Sequence, residues 1–168
     1  MSVALRPRNS LTIDFMRIDD ALSGGLEDLL AEHWDEVALD KDVVPLDVDW
    51  DRYRVLERQG GLKSLAAKRG GRLIGYNAFF IQHPMHYKAQ TWAINDVLYL
   101  TPAERTTMLG PRMIREAEAR LPKFGVKKVI YHAKFHVHSP GKEKGATLGD
   151  LLVRMGYRRD EEVLSKLL

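Results

Sequence analysis

The stretch Asn95-Asp-Val-Leu-Tyr-Leu-Thr-Pro-Ala-Glu-Arg-Thr-Thr-Met-Leu-Gly-Pro-Arg-Met-Ile114 decides how this chain is read. Its first six residues close a run from Ala89 to Leu100, rich in apolar and aromatic residues, that reads as a strand. Thr101-Pro102 ends the strand, because proline has no N–H to donate to a neighbouring strand. Met113, Ile114, Ala117 and Leu121 then recur at helical spacing, with a Glu116–Arg120 pair at i,i+4 on the surface. Pro111 fits only the first turn of that helix, where backbone N–H groups lack partners in any case. Pro122 and Gly125 stop it. A strand that passes through a tight loop into such a helix offers unpaired N–H groups and the positive end of the helix dipole. That is a ready cradle for a pyrophosphate.

Working outward, Leu62–Lys68 and Arg72–Gln82 read as strands around Arg69-Gly70-Gly71, the glycines supplying the positive φ of a tight hairpin. His83-Pro84-Met85-His86 is the next turn, so the strand from Ala89 completes a three-stranded meander. Upstream, Leu11–Ile18 alternates apolar residues at 11, 13 and 15, as a half-buried strand does. After Ser23-Gly24-Gly25, Leu26, Leu29, Leu30, Trp34 and Val37 recur at helical spacing. Leu39 to Asp49 reads as a loop, and Trp50, Tyr53 and Leu56 as a short helix closed by Gly60-Gly61. Downstream, Val126–His138 is expected to be a strand. Thr147-Leu-Gly-Asp150 has capping-box spacing and opens a helix with Leu148, Leu151, Leu152 and Met155 on its apolar stripe. Gly156 suits the end of that helix, and Glu162–Leu168 is expected to be a last strand. The order is β-α-α-β-β-β-α-β-α-β. The fold class is α/β (α+β), a mixed and mainly antiparallel sheet flanked by helices, in one domain spanning residues 1–168 with residues 1–10 expected to be flexible.

Composition sets the outer limits. At 168 residues, 45% apolar and 29% charged, the chain is of ordinary globular make-up and long enough to bury roughly 70% of its unfolded surface. It has no cysteine, which rules out thiol nucleophiles, cysteine-ligated zinc and disulfides. No apolar run approaches the ~20 residues of a membrane span, and the opening nine residues lack the pattern of a secretion signal. A cytoplasmic protein without membrane partners is expected. Charge is uneven: the window Asp35–Asp51 holds seven acids against Lys41 alone, a balance of −6, whereas the rest of the chain sums to +9. Residues 101–145 hold ten Lys or Arg against four Glu. An acidic segment facing a basic second half suits a site that joins a cationic substrate to a polyanionic cofactor.

The central stretch resembles the GNAT N-acetyltransferase superfamily, whose pattern runs roughly Leu-Tyr-Val-x-Pro-Glu-Tyr-Arg-Gly-x-Gly-x-Gly-x-x-Leu. Leu98, Tyr99, Leu100, Pro102, Arg105 and Gly110 stand in register with it, followed by the apolar Met113 and Ile114. Leu151-Leu-Val-Arg-Met-Gly-Tyr157 likewise resembles the family's Leu-Tyr-x-Lys-x-Gly-Phe near its end. The element order agrees from Leu11 onward, and the chain also resembles short GNAT-like chains of phage and prophage genomes, in which case the cytoplasm is the host's. The resemblance implies acetyl-CoA as co-substrate, with no metal, and transfer of its acetyl group to a primary amine. Backbone groups of Leu98 and Leu100 would pair with the pantetheine arm; Tyr99, Arg105, Thr106, Thr107, Met108, Leu109, Gly110 and Arg112 would complete the CoA site. Asp96 aligns with a strand acid of many members and is the leading general base. The family's acceptor borders the loop that is the acidic window here, which favours a lysine, polyamine or amino sugar. A homodimer is left open.

Two positions depart from the pattern. Met108 stands where the family has a glycine, and Leu152 where a tyrosine often serves as general acid. They point to the alternative, a catalytically silent GNAT-fold binding or assembly protein. Tyr131 is a candidate substitute acid, and His132 a candidate proton relay. His132, Lys134, His136 and His138 alternate onto one strand face, but Lys134 interrupts a zinc set. Asp47-x-Asp49-x-Asp51 lacks the glycine of a calcium loop, and Gly141-Lys-Glu-Lys-Gly145 reads as a mobile basic loop, not a phosphate loop. Nucleic acid is disfavoured because Trp34 and Trp50 sit beside the acids.

Overall fold

Gly70 and Gly71 adopt φ of 57° and 89°, the double positive φ of a tight two-residue turn, and from it the sheet grows. In the computed structural model, which describes residues 10–134 and 147–167, this turn joins β2 (Leu62–Arg69) to β3 (Arg72–Gln82) with Arg69 opposite Arg72. β1 (Leu11–Phe15) adds to β2, and β4 (Trp92–Leu100) to β3, all antiparallel. β5 (Lys128–Ile130) joins β4 in parallel, giving the order β1-β2-β3-β4-β5. The chain divides into two compact units, Met1–His132 and Ala133–Leu168, and the sheet lies in the first.

Alternation along the strands makes two cores. On one face Phe79, Leu65, Leu100 and Ile13 pack with Met113, Ala117 and Leu121 of α4 (Leu109–Arg120), as the helical spacing predicts. On the other, Leu62, Ala66, Leu73, Tyr76, Ala78 and Tyr99 meet α1 (Ile18–Ser23), α2 (Leu26–Val37) and α3 (Trp50–Arg58). Arg120 closes the first layer: it pairs with Glu116 at 2.9 Å, as expected, and with Asp14 of β1 at 3.1 Å.

Several expected boundaries shift. β1 stops at Phe15, and Ile18 opens α1, a six-residue helix that the alternation had absorbed into the strand. β4 begins at Trp92, since residues 84–91 are taken up by turns in which Tyr87 N donates to Pro84 O and Gln90 N to Tyr87 O. Of the strand expected over Val126–His138, the described residues form Lys128–Ile130, and 131–134 are not strand; His136, His138 and the Gly141–Gly145 segment lie outside the described residues, as does the start of the chain.

The second unit contains α5 (Leu148–Arg154), opened by the expected capping box. Asp150 N donates to Thr147 Oγ1 at 3.2 Å and Thr147 N donates to Asp150 Oδ2 at 2.9 Å, while Arg159 pairs with Asp150 at 2.8 Å. The hydrogen bonds from Thr147 hold the Asp150 carboxyl below its ordinary range. Thr147→Ala should therefore speed amide exchange in the first turn of α5 roughly fivefold, the equivalent of a cap worth about 1 kcal/mol; unchanged exchange would show that the box does not hold the helix. The strand expected over Glu162–Leu168 does not form through residue 167: these residues are exposed and pair with no strand among the described residues.

Candidate active site

Asn and Asp are poor strand residues, and their succession at Asn95-Asp96 marks an irregularity in β4. Val97 lies opposite Ala78 and Asn95 opposite Phe79, so Asp96 is an extra residue, a β-bulge. Asn95, buried, secures the bulge from within: its Nδ2 donates to Asn77 Oδ1 and Ala78 O at 3.0 Å and to Val97 O at 2.9 Å. Asn77, fully buried, donates in turn to the Tyr131 hydroxyl at 3.1 Å. The bulge turns the Asp96 side chain to the α1–α3 face, where the Tyr53 hydroxyl of α3 donates to Asp96 Oδ2 at 2.7 Å. Burial raises Asp96 above the ordinary carboxylate range even though the carboxylate reaches solvent, and the Tyr53 hydrogen bond works in the opposite direction. Tyr53 itself is pushed up, first by burial and then by the charge of Asp96.

The same bulge is where β4 and β5 part. Their pairing covers only Trp92–Ile94 against Lys128–Ile130, while β4 runs on to Leu100. Thr101 N donates to Ile74 O of β3, so by alternation the backbone groups of Leu98 and Leu100 face away from β3, into the space β5 has left. Leu100 O accepts from Arg105 Nε at 2.8 Å. Among the described residues Leu98 has no strand beside it on that side.

β4 then leads through a 3-10 turn (Pro102–Glu104) into α4. Thr107 Oγ1 accepts from Leu109 N at 3.1 Å and caps that amide. The amides of Met108 and Gly110 have no partner among the described residues, and Pro111 has no N–H to offer. Met108 takes φ −78°, so the site makes no demand for glycine; its side chain is 71% exposed and leaves the amide open. Met108 also borders a hollow of about 370 Å³ between the start of α4 and the β1–β2 edge, lined by Leu11 and Arg69 on one side and by Thr107, Pro111, Arg112 and Arg115 on the other. Open amides at a helix start, with two arginines that carry no ion pair among the described residues, are the elements of an anion site.

Other expected residues are placed differently. Arg105 does not face the cradle: both terminal nitrogens donate to the Glu36 carboxylate of α2, and the guanidinium lies 5.1 Å over the Tyr99 ring. It is a brace between the loop and α2, and the charge it would have lent to phosphates is spent on Glu36. Tyr99 belongs to the core, stacked with His33 and donating to Glu32 at 3.3 Å. Thr106 is exposed. The candidate acids and base do not converge. Tyr131 packs against Phe79 on the α4 face, opposite to Asp96, and burial pushes its hydroxyl up; His132 is exposed. Tyr53, read only as a packing residue of α3, is the partner the sequence did not reveal.

No protein-family model matches the sequence, and no curated protein matches it. Solved structures do resemble it. A Trypanosoma brucei acetyltransferase superposes with a TM-score of 0.66 at 19% identity over 95% of this chain and 100% of its own. A ribosomal-protein-alanine N-acetyltransferase from Brucella melitensis biovar Abortus 2308 gives 0.68 at 15% over 95% and 99%. A glucosamine-6-phosphate N-acetyltransferase from Arabidopsis thaliana gives 0.68 at 13% over 94% and 98%. At such identities the likeness speaks for architecture: the bulged and diverging β4, the open turn and α4 are set in the GNAT N-acetyltransferase fold.

Proposed function

We propose that the chain is an N-acetyltransferase that takes the acetyl group of acetyl-CoA to a primary amine of a cationic acceptor. The observation that carries this reading is the parting of β4 from β5 at the Asp96 bulge, which among the described residues leaves the outward backbone of Leu98 and the amide of Leu100 without a strand partner, upstream of the open amides of Met108 and Gly110. Bound there, acetyl-CoA supplies an activated thioester. The chain's own part is to hold the cofactor by outward backbone groups and open amides, with Arg112 and Arg115 balancing its phosphates. A cationic amine must lose a proton before it can attack, and Asp96, raised by burial, is the acceptor of that proton. The N–C bond forms as the C–S bond breaks, and the leaving thiolate takes up a proton.

Calorimetric titration with CoA tests the site: micromolar binding is expected, and none at millimolar ligand would overturn the reading. A thiol-release assay across amines tests turnover; CoA binding without release by any amine would instead favour a silent binding protein.

Tyr53→Phe gives a signed pH test. The hydroxyl lowers the Asp96 pKa, so its removal leaves burial unopposed and raises it. Less Asp96 is then ionised at any given acidic pH, and the acidic limb of kcat/KM should move to higher pH with the alkaline plateau retained. A limb that stays, or moves to lower pH, would clear the pair of that role.

A further inference from the structure

The segment between α2 and α3 keeps large apolar side chains in solvent. Leu39, Val43, Val44 and Leu46, four within eight residues, are 39–66% exposed. They do not belong to a loose end. Asp40 adopts φ +57°, and its carbonyl accepts from the amides of both Val43 and Val44, at 3.0 and 2.9 Å, so a closed turn displays them. Acids are interleaved with them. Asp49 is occupied in capping α3 and Asp51 in pairing with Arg54, whereas Asp40, Asp42 and Asp47 have no ion pair among the described residues. The one local cation, Lys41, is bound to Asp35 and lies over the Trp34 ring. Four residues after the Asp49 cap, Tyr53 reaches Asp96.

An apolar surface studded with unpaired carboxylates excludes most occupants. A second copy would bring its own acids against these, and anionic lipid or nucleic acid would be repelled. A free polyamine satisfies the charge but has no apolar bulk to cover four side chains, and an amino sugar has less. A chain carrying both lysines and apolar residues satisfies both. We propose that the acceptor is a basic, partly apolar polypeptide docked on the α2–α3 segment, its amine reaching Asp96 from there. This rests on the acetyltransferase reading above.

Binding and transfer are measured separately, so that either can fail alone. The probe is a labelled peptide of alternating Lys and Leu, compared with alternating Lys and Ser and alternating Glu and Leu, and read by fluorescence anisotropy. The Lys-Leu peptide is expected to bind at least about tenfold more tightly than either control, and to weaken with added salt. Leu39→Ser with Val43→Ser, and separately Asp40→Asn with Asp42→Asn, should each weaken it at least about tenfold. Both variants should keep the wild-type affinity for CoA, and the Leu39→Ser, Val43→Ser protein should also keep the wild-type rate on a small amine. Equal binding of Lys-Ser, indifference to either variant, or displacement of the peptide by equimolar spermine would overturn the docking surface and leave the enzyme reading intact. Loss of self-association in the Val43→Ser protein would mean that a second copy covers the patch, and would overturn it too. Peptide binding that follows these expectations, with no thiol release from any amine, would retain the surface and remove the enzyme.

Discussion

Asp96→Asn is expected to lower acetyl transfer by about 10²–10⁴ at neutral pH while CoA affinity stays within about twofold. The substitution is close to isosteric, and an asparagine oxygen can still accept from the Tyr53 hydroxyl, so α3 keeps its contact with β4. What is lost is the carboxylate that the proposed mechanism uses to take a proton from an ammonium acceptor. The deficit, roughly 3–5 kcal/mol of barrier, should be conditional on pH. As the medium approaches the ~10 of an alkyl ammonium, solution supplies neutral amine and the need for Asp96 fades. The ratio of wild-type to variant rates should therefore shrink with rising pH. A variant equally impaired at all pH values would assign Asp96 to geometry, and one unimpaired at neutral pH would remove it from the mechanism.

Local chemistry was legible in the sequence, and long-range pairing was not. The Gly70-Gly71 hairpin, the place of Pro111 in the first turn of α4, the Thr147–Asp150 box and the Glu116–Arg120 pair all follow from residues within a few positions of one another, and each stands as read. Asp96 was legible only through the family resemblance, in which it aligns with a strand acid; the bulge that turns it out of the ladder shows only in the register of β3 and β4. Tyr53 lies 43 residues from Asp96 and Glu36 lies 69 from Arg105, so neither contact leaves a mark on local spacing. For that reason nothing in the sequence signals that Arg105, expected at the CoA site, is held by Glu36 of α2. α1 escaped notice since six residues are under two helical turns, too few to establish a period. The strand expected at Glu162 failed for the complementary reason: β-propensity reports fit to a neighbouring strand, and there the described residues have none.

Gly75→Ala should be the most damaging single-methyl change in the sheet. At this position space is the constraint, with no unusual φ. Gly75 lies opposite Leu100, and an added Cβ would stand 2.4 Å from Leu100 Cδ2 and 2.7 Å from the Tyr99 carbonyl oxygen. The leucine can turn away; the carbonyl is backbone, inside the β3–β4 ladder, and cannot. The usual gain of about 0.4–1 kcal/mol from a stiffer unfolded chain is thus outweighed by an overpacking cost of about 1–3 kcal/mol or more. A fall in Tm of roughly 4–10 °C is expected for a chain of this size. The strain falls on Tyr99 and Leu100, so the outward groups of Leu98 and Leu100 should shift and CoA binding weaken with it. Gly71→Ala is the control: at φ +89° with nothing within 4 Å of the new Cβ, it strains the hairpin turn without touching β4. It should cost about 1–2 kcal/mol through backbone conformation alone and leave CoA affinity unchanged. If both variants lose stability but only Gly75→Ala loses CoA, the close approach of β3 to the end of β4 is what shapes the cofactor slot; if Gly75→Ala melts and binds like the wild type, the slot does not depend on that packing.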